Sequence, residues 1–240
     1  MEEVKSSDVL TVIPARSGSK RLPMKNIMQL AGLPLIGYSI KAGIGSRFVG
    51  KIIVSTDSQE ISDISQKLGV QVPYLRPEDL SGDNASIFDV VQHVIQSEKK
   101  LGNEYKYILL LQPTSPLRTS DHVDESFERL TNKKAKGIIS VTELEHPFEW
   151  VNSVPPSGEM DKFLNKKLQV TRSQDLTTRY RLNGAIYLAE TASFLNAKSF
   201  FLEDNVYTYE MDRFSSVDID TDEDFYLADL LMKDIQSSDK

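Results

Sequence analysis

The sequence predicts an α/β fold: a mostly parallel, twisted sheet with helices on both faces, carrying a small inserted element. Three observations support this. Apolar runs of strand length alternate with helical patterns, as βαβ units require. Tyr107–Leu111 is almost wholly apolar, as expected of a central parallel strand covered on both faces. Between about Glu143 and Arg181 the texture changes, with Pro147, Pro155, Pro156 and Gly158, many charges and weak periodicity.

In chain order, Leu10–Pro14 reads as the first strand and Leu35–Ile44 as a helix, with Leu35, Ile36, Ile40 and Ile44 near helical spacing. Lys51–Ser55 is a second strand. It leads into Thr56-Asp57-Ser58, a capping group for a helix reaching Leu68. Val72–Leu75 reads as a short strand before the turn at Arg76-Pro77, and Ser86–Glu98 as a helix burying Ile87, Val90, Val91, Val94 and Ile95. A helix begins near Ser120-Asp121, and Gly137–Val141 is a further strand. The segment from 143 to 181 is expected to project as hairpins and loops. Gly184–Leu188 and Val217–Ile219 then read as strands, and Asp222–Ile235 as a closing amphipathic helix.

Bulk properties narrow the function. At 240 residues the chain can bury a substantial core, with one principal domain spanning its whole length. A net charge of −7 argues against a dedicated nucleic-acid surface. With no cysteine, disulfides, thiolate metal sites and cysteine nucleophiles are excluded. The polar first residues and the lack of a long apolar run lead us to expect a cytoplasmic protein without a membrane span.

The chemistry concentrates in a few segments. Val9-Leu-Thr-Val-Ile-Pro-Ala-Arg-Ser-Gly-Ser-Lys-Arg-Leu-Pro-Met-Lys-Asn26 sends a strand into a loop bearing Arg16, Lys20, Arg21 and Lys25. Open α/β sheets place ligands at this carboxyl edge. Arginine forks and lysine point charges there suit a polyphosphate, the alternative being a solvated basic loop. The loop has neither the Walker A nor the GxGxxG pattern. Asp218 and Asp220, two residues apart, would share one side of a strand, where hard oxygen ligands suit Mg²⁺. Asp222, Glu223 and Asp224 are better explained as the acidic first turn of a helix.

Gln112-Pro-Thr-Ser-Pro-Leu-Arg118 follows the most apolar strand and reads either as a ligand loop or as a strand-to-helix turn. Asn183-Gly184 could be only a tight turn. His93, His122 and His146 lack metal-ligand spacing to one another, and Ser17, Ser19 and Ser115 lack a GxSxG context. Phe148 and Trp150, at strand spacing in the insertion, suit an interface or a small core.

Six segments in order resemble the acylneuraminate cytidylyltransferases, the synthetases of CMP-sialic acid and related CMP-nonulosonates. They are Ile13-Pro-Ala-Arg-Ser-Gly-Ser-Lys-Arg-Leu-Pro-Met-Lys-Asn26, Ile53-Val-Ser-Thr-Asp57, Leu75-Arg-Pro77, Leu111-Gln-Pro-Thr-Ser-Pro-Leu-Arg118, Arg181-Leu-Asn-Gly-Ala-Ile-Tyr187 and Ser216-Val-Asp-Ile-Asp-Thr221. The resemblance spans nearly the whole chain. It implies a Rossmann-like nucleotidyltransferase, a homodimer, that joins CTP to a nine-carbon 2-keto sugar acid with Mg²⁺, or alternatively Mn²⁺. The sugar it implies is N-acetylneuraminate or legionaminate.

By that resemblance Arg16, Lys20, Lys25 and Asn26 hold the CTP phosphates and ribose, with Arg76 and Ser86 on the cytidine side. Gln112, Thr114, Arg181, Asn183 and Tyr187 line the sugar pocket, Phe200 and Phe201 lie near its acyl group, and Arg172 meets the carboxylate. Asp218 and Asp220 bind the metal. Arg16, Lys25, Gln112 and Asp220 carry the catalytic burden. The segment from about 143 to 181 is the dimerisation element. Two departures from the family pattern fall in it, at Glu149 in His146-Pro-Phe-Glu-Trp150 and at Ser173 in Arg172-Ser-Gln-Asp-Leu-Thr-Thr178. Two other readings compete: a CMP-Kdo synthetase, and a catalytically silent nucleotide-binding protein on the same fold.

Overall fold

Val9 and Ile13 of the first strand pack into one core cluster and Leu10 and Val12 into another, and all four are fully buried. That alternation is the period-2 signature of a strand covered on both sides. A computed structural model describes residues 4–19, 21–161, 163 and 176–238.

The order begins with β1 (Val9–Pro14), a long loop, the small hairpin β2 (Gln29–Leu30) and β3 (Leu33–Pro34), and α1 (Leu35–Gly45). Then come β4 (Lys51–Ser55), α2 (Gln59–Lys67), α3 (Ile87–Lys100), β5 (Tyr107–Leu110) and α4 (Ser120–Lys133). Strands β6 (Gly137–Glu143) and β7 (Tyr180–Glu190) flank the insertion, and α5 (Thr191–Ala197), β8 (Val206–Glu210) and α6 (Asp222–Ser238) follow. Side chains of Ser58, Ser86 and Thr119 accept from backbone N–H groups in the first turns of α2, α3 and α4. Such caps are each worth about 1 kcal/mol.

The main sheet has the order β4-β1-β5-β7-β6-β8. Only β7 runs against the other five strands. One face packs Ile36 and Ile40 of α1, Ile61 of α2, and Val123 and Phe127 of α4; the other packs Val91 and Val94 of α3 and Phe194 of α5. Each such fully buried side chain contributes roughly 1.5–3 kcal/mol of transfer free energy. A third cluster joins Leu22 of the opening loop, Leu30 and Ile219 to Ala228 and Met232 of α6. This cluster fastens the cationic loop and the Asp218–Asp220 segment to one helix.

Several expectations are corrected. Val72–Leu75 is not a strand; the only sheet contact there is an isolated bridge between Ile53 and Gln71. Val217–Ile219 joins no ladder and instead gives one backbone bond, from Ile219 N–H to the Thr114 carbonyl, at 2.8 Å. β5 is parallel to β1 but antiparallel to β7. Ile44 and Ile87 are exposed instead of buried in the core, 56% and 41%, each lying in a terminal turn of its helix. Among the described residues between 144 and 179 no strand is present and a short 3-10 turn at Phe148–Trp150 is regular; residues 162 and 164–175, on which the expected hairpins also fall, lie outside the described residues. Glu143, Tyr180 and Arg181 belong to the β6–β7 ladder, which narrows the inserted element.

The reversed β7 positions the site. Tyr187 pairs with Leu110 at the end of β5, so residues 180–186 overhang the carboxyl edge. Opposite them the β6–β7 register breaks between Ile139 and Val141. Ser140 Oγ fills the break, accepting from Ile186 N–H at 2.8 Å and donating to Asn183 Oδ1 at 2.6 Å.

Candidate active site

The opening loop is tied back on both sides. Asp57, just past β4, accepts from the Ser17 N–H and hydroxyl, both at 2.9 Å. Buried Asn26 donates from Nδ2 to the Arg16 carbonyl at 2.9 Å. Between them Met24 takes a left-handed conformation, φ 55°, and opens the 3-10 turn Lys25–Ile27. That turn sends Lys25 inward, its side chain only 13% exposed. Lys25 Nζ donates to the Ile219 carbonyl at 2.7 Å and to Asp220 Oδ1 at 3.3 Å, while Arg21 holds Asp220 Oδ2 at 3.2 Å. Arg16 pairs with Asp83 at 3.0 Å.

These groups surround a cleft of about 410 Å³ lined by Arg16, Arg21, Lys25, Asn26, Gln112, Thr114 and Asp220, with Ile87 at its edge. Beside it lies Gly184, φ +75°. A methyl there would lie 3.6 Å from Gln112 Oε1, 3.8 Å from Asp218 Oδ2 and 3.9 Å from Ser115 Oγ. Asp218 Oδ1 and Ser115 Oγ are buried with no protein hydrogen-bond partner among the described residues, leaving polar capacity for water or a ligand. Burial raises the Asp218 carboxyl above the usual carboxylate range and Asp220 adds to the rise, against Thr114, Lys25 and Arg181.

Asp218 and Asp220 differ in setting: the first is half-buried, the second exposed and shared between two cations. The two carboxylates fit a hard divalent cation, and the unpartnered Asp218 Oδ1 is a free oxygen donor. No group of three or more metal-ligating side chains occurs among the described residues, so the remaining ligands would be phosphate oxygens and water.

Arg76 is buried beyond the end of β4, and its Nε and Nη2 lack partners. Burial lowers its pKa, Asp57 opposing and Arg16 adding. Ser86 is the cap of α3, its hydroxyl engaged with Asp89. Tyr187 packs on Phe200 and Phe201 at ring distances of 5.7 and 6.3 Å. Phe200 is buried and Phe201 is 56% exposed. Burial, then Asp218, raises the Tyr187 pKa. Asn183 is buried, and its amide is consumed by Ser140, Ala185 N–H, Met211 and Ser216. Arg181 reaches the Ser216 carbonyl at 3.4 Å. Lys20, Arg172 and Ser173 lie outside the described residues.

Three residues at the site were not singled out from sequence. Asp57 has no assigned role in the sequence reading, where it belongs to a capping group and ends the Ile53–Asp57 family segment; its place at a strand's carboxyl end is the available signal. Asp83 lies in an irregular stretch with no pattern. Arg118 closes the Gln112–Arg118 segment, but nothing in the spacing shows that its side chain is buried. Thr221 caps α6: its Oγ1 accepts from the Asp224 N–H at 3.3 Å, and Asp224 Oδ2 accepts from the Thr221 N–H at 2.8 Å.

A mostly parallel sheet whose carboxyl edge gathers cations opposite two carboxylates defines an α/β nucleotidyltransferase. The solved structure of a CMP-2-keto-3-deoxy-manno-octonic acid synthetase complexed with CTP shares this fold, with TM-score 0.70 at 18% identity over 94% of this chain and 98% of that one. The chain belongs to the cytidylyltransferase family, whose model matches residues 10–236. It is 35% identical to the CMP-N,N'-diacetyllegionaminic acid synthase of Legionella pneumophila, covering 94% of this chain and 96% of the relative. It is 33% identical to the pseudaminic acid cytidylyltransferase of Campylobacter jejuni, covering 93% and 96%.

Proposed function

We propose that this cytidylyltransferase joins CTP to a nonulosonic acid, legionaminate or N-acetylneuraminate, releasing the CMP-sugar and pyrophosphate. The observation that carries the reading is the meeting of Arg16, Arg21 and Lys25 with Asp220, Gln112 and Thr114 around one cleft. In the transfer, the sugar C2 hydroxyl oxygen bonds to the α-phosphorus while the bond from that phosphorus to the bridging oxygen breaks. The hydroxyl proton leaves to solvent, and the electron pair leaves with pyrophosphate.

Arg16 and Lys25 lie where they can neutralise charge growing on the phosphate oxygens, the main lever in such reactions. Asn26 and the Asp57–Ser17 tie hold the loop at the required reach, and Arg76 and Ser86 flank the nucleoside side. Gln112, Thr114, Arg181 and Tyr187 face the sugar, with Phe200 and Phe201 offering an apolar wall. Lys20 and Arg172 are assigned to phosphate and sugar carboxylate. When bound between Asp218 and Asp220, Mg²⁺ or Mn²⁺ would supply Lewis-acid stabilisation of phosphoryl oxygens.

We further propose a cytoplasmic homodimer formed through the insertion. Phe148, Val151, Val154 and Met160 are 58–63% exposed in the single chain, an apolar group suited to burial against a second copy. No helix among the described residues is long and apolar enough to cross a membrane.

Pyrophosphate release with CTP, Mg²⁺ and a panel of legionaminic, pseudaminic and N-acetylneuraminic acids and Kdo tests the function. Turnover with a nine-carbon acid and little with Kdo is expected. Preference for Kdo would favour the eight-carbon alternative, and no release from any acid would favour a silent binder.

A further inference from the structure

Arg118 is among the largest fully buried side chains of the protein, and no carboxylate among the described residues is hydrogen-bonded to it. Its Nη1 donates to the carbonyls of Ala185 at 3.0 Å and Gln112 at 3.2 Å, and its Nη2 to Ser39 Oγ at 2.6 Å. Ser39 in turn donates to the same Gln112 carbonyl at 3.1 Å. Burial alone pushes the guanidinium down to about 9, which still leaves it a cation at neutral pH.

A charge held in the interior without a counter-ion is costly, so a purely mechanical tie would be better made by neutral groups. The geometry shows what only this side chain can do. Its planar fork reaches acceptors on three separate elements at once: α1, the segment after β5, and the irregular part of β7. Two of those acceptors adjoin the cleft. Gln112 lines the cleft, and Ala185 follows Gly184, beside which Gln112 Oε1, Ser115 Oγ and Asp218 Oδ2 converge. The spacing between Gln112 and Gly184 is therefore set from behind by one guanidinium.

We infer that Arg118 is a positioning residue for cytidylyl transfer, holding Gln112 and the Gly184–Ala185 segment at the separation the reacting groups require. It does not line the cleft, so its influence falls on the chemical step more than on nucleotide binding. The inference rests on the cytidylyltransferase reading and adds a residue to it.

Arg118→Lys keeps the cation but cannot span all three acceptors. Ser39→Ala removes only the hydroxyl that steadies Nη2 and the Gln112 carbonyl. Turnover is measured per folded molecule, with CTP affinity read by calorimetry and folding by circular dichroism. For folded Arg118→Lys, kcat is expected to fall about a hundredfold, with CTP affinity changed by less than about threefold. Ser39→Ala should show a smaller fall with the same split. If Arg118→Lys does not fold, Ser39→Ala decides alone. Normal kcat with only a lower unfolding midpoint, or a loss confined to CTP binding, would overturn the inference. Wild-type enzyme runs in the same assay. If it fails on every acid the functional reading falls and this inference with it; if it turns over and a folded Arg118→Lys matches it, the inference falls alone.

Discussion

Lys25 Nζ lies 2.7 Å from the Ile219 carbonyl and 3.3 Å from Asp220 Oδ1, so one ammonium joins the N-terminal loop to the segment that carries both site carboxylates. With its side chain 13% exposed, that charge acts in a partly desolvated place where it is worth more than in water. Lys25→Met should lower kcat by about 10²–10³, as loss of one fixed donor does in comparable sites. Steady-state kinetics on the folded variant check this, and a wild-type kcat would remove Lys25 from the transfer step.

Arg16, which lines the cleft, is paired with Asp83 at 3.0 Å, and both side chains are more than a third exposed. A phosphate reaching Arg16 must compete with that carboxylate. Exposed pairs are worth up to about 1 kcal/mol, so Asp83→Asn should tighten CTP binding by about two- to fivefold. Calorimetric titration with CTP measures it; weaker binding would show that Asp83 supports the nucleotide instead.

Gly184 holds φ +75° where the β6–β7 register breaks. Alanine there meets only ordinary contacts, the nearest at 3.6 Å, so the penalty is backbone strain of about 1–2 kcal/mol. The methyl would also stand among Gln112, Asp218 and Ser115. We expect a lower urea midpoint and reduced turnover for Gly184→Ala. An unchanged midpoint would contradict the strain argument.

His93 and His122 are both held below the ordinary histidine value of 6.5, burial being the leading cause in each. The fold therefore keeps them neutral while the unfolded chain takes up protons. Their contribution to stability is present above pH 6.5 and is lost as pH falls through that value towards the folded pKa. Urea midpoints should hold steady from pH 8 to 7 and decline below about 6.5, less steeply in His93→Gln and His122→Gln. Equal slopes in all three proteins would exclude these histidines.

Much of this was legible where burial and periodicity coincide. β1, β4 and β5 were visible as apolar runs, and α2 to α4 were visible from their caps and amphipathic spacing. β8 was not, because of its five residues only Tyr209 is buried, leaving no alternation to read. α5 has seven residues, too few for a period to stand out. The direction of β7 is a matter of pairing, which one sequence does not display. At the site, Arg16, Lys25, Asn26, Gln112, Thr114 and Asp220 meet around one cleft. Their segments are far apart in sequence, and strand ends together with the family resemblance pointed to that convergence. The burial of Asp218 against the exposure of Asp220 was hidden, since a two-residue spacing implies one side only within a ladder.

The most direct test of the central claim follows the α-phosphorus. CTP radiolabelled at that atom, incubated with Mg²⁺, the enzyme and legionaminic or N-acetylneuraminic acid, should place the label in a CMP-sugar and leave the pyrophosphate unlabelled. Asp220→Asn, folded as wild type, should place none. Label remaining in CTP for every acid, or turnover undiminished in Asp220→Asn, would contradict the account.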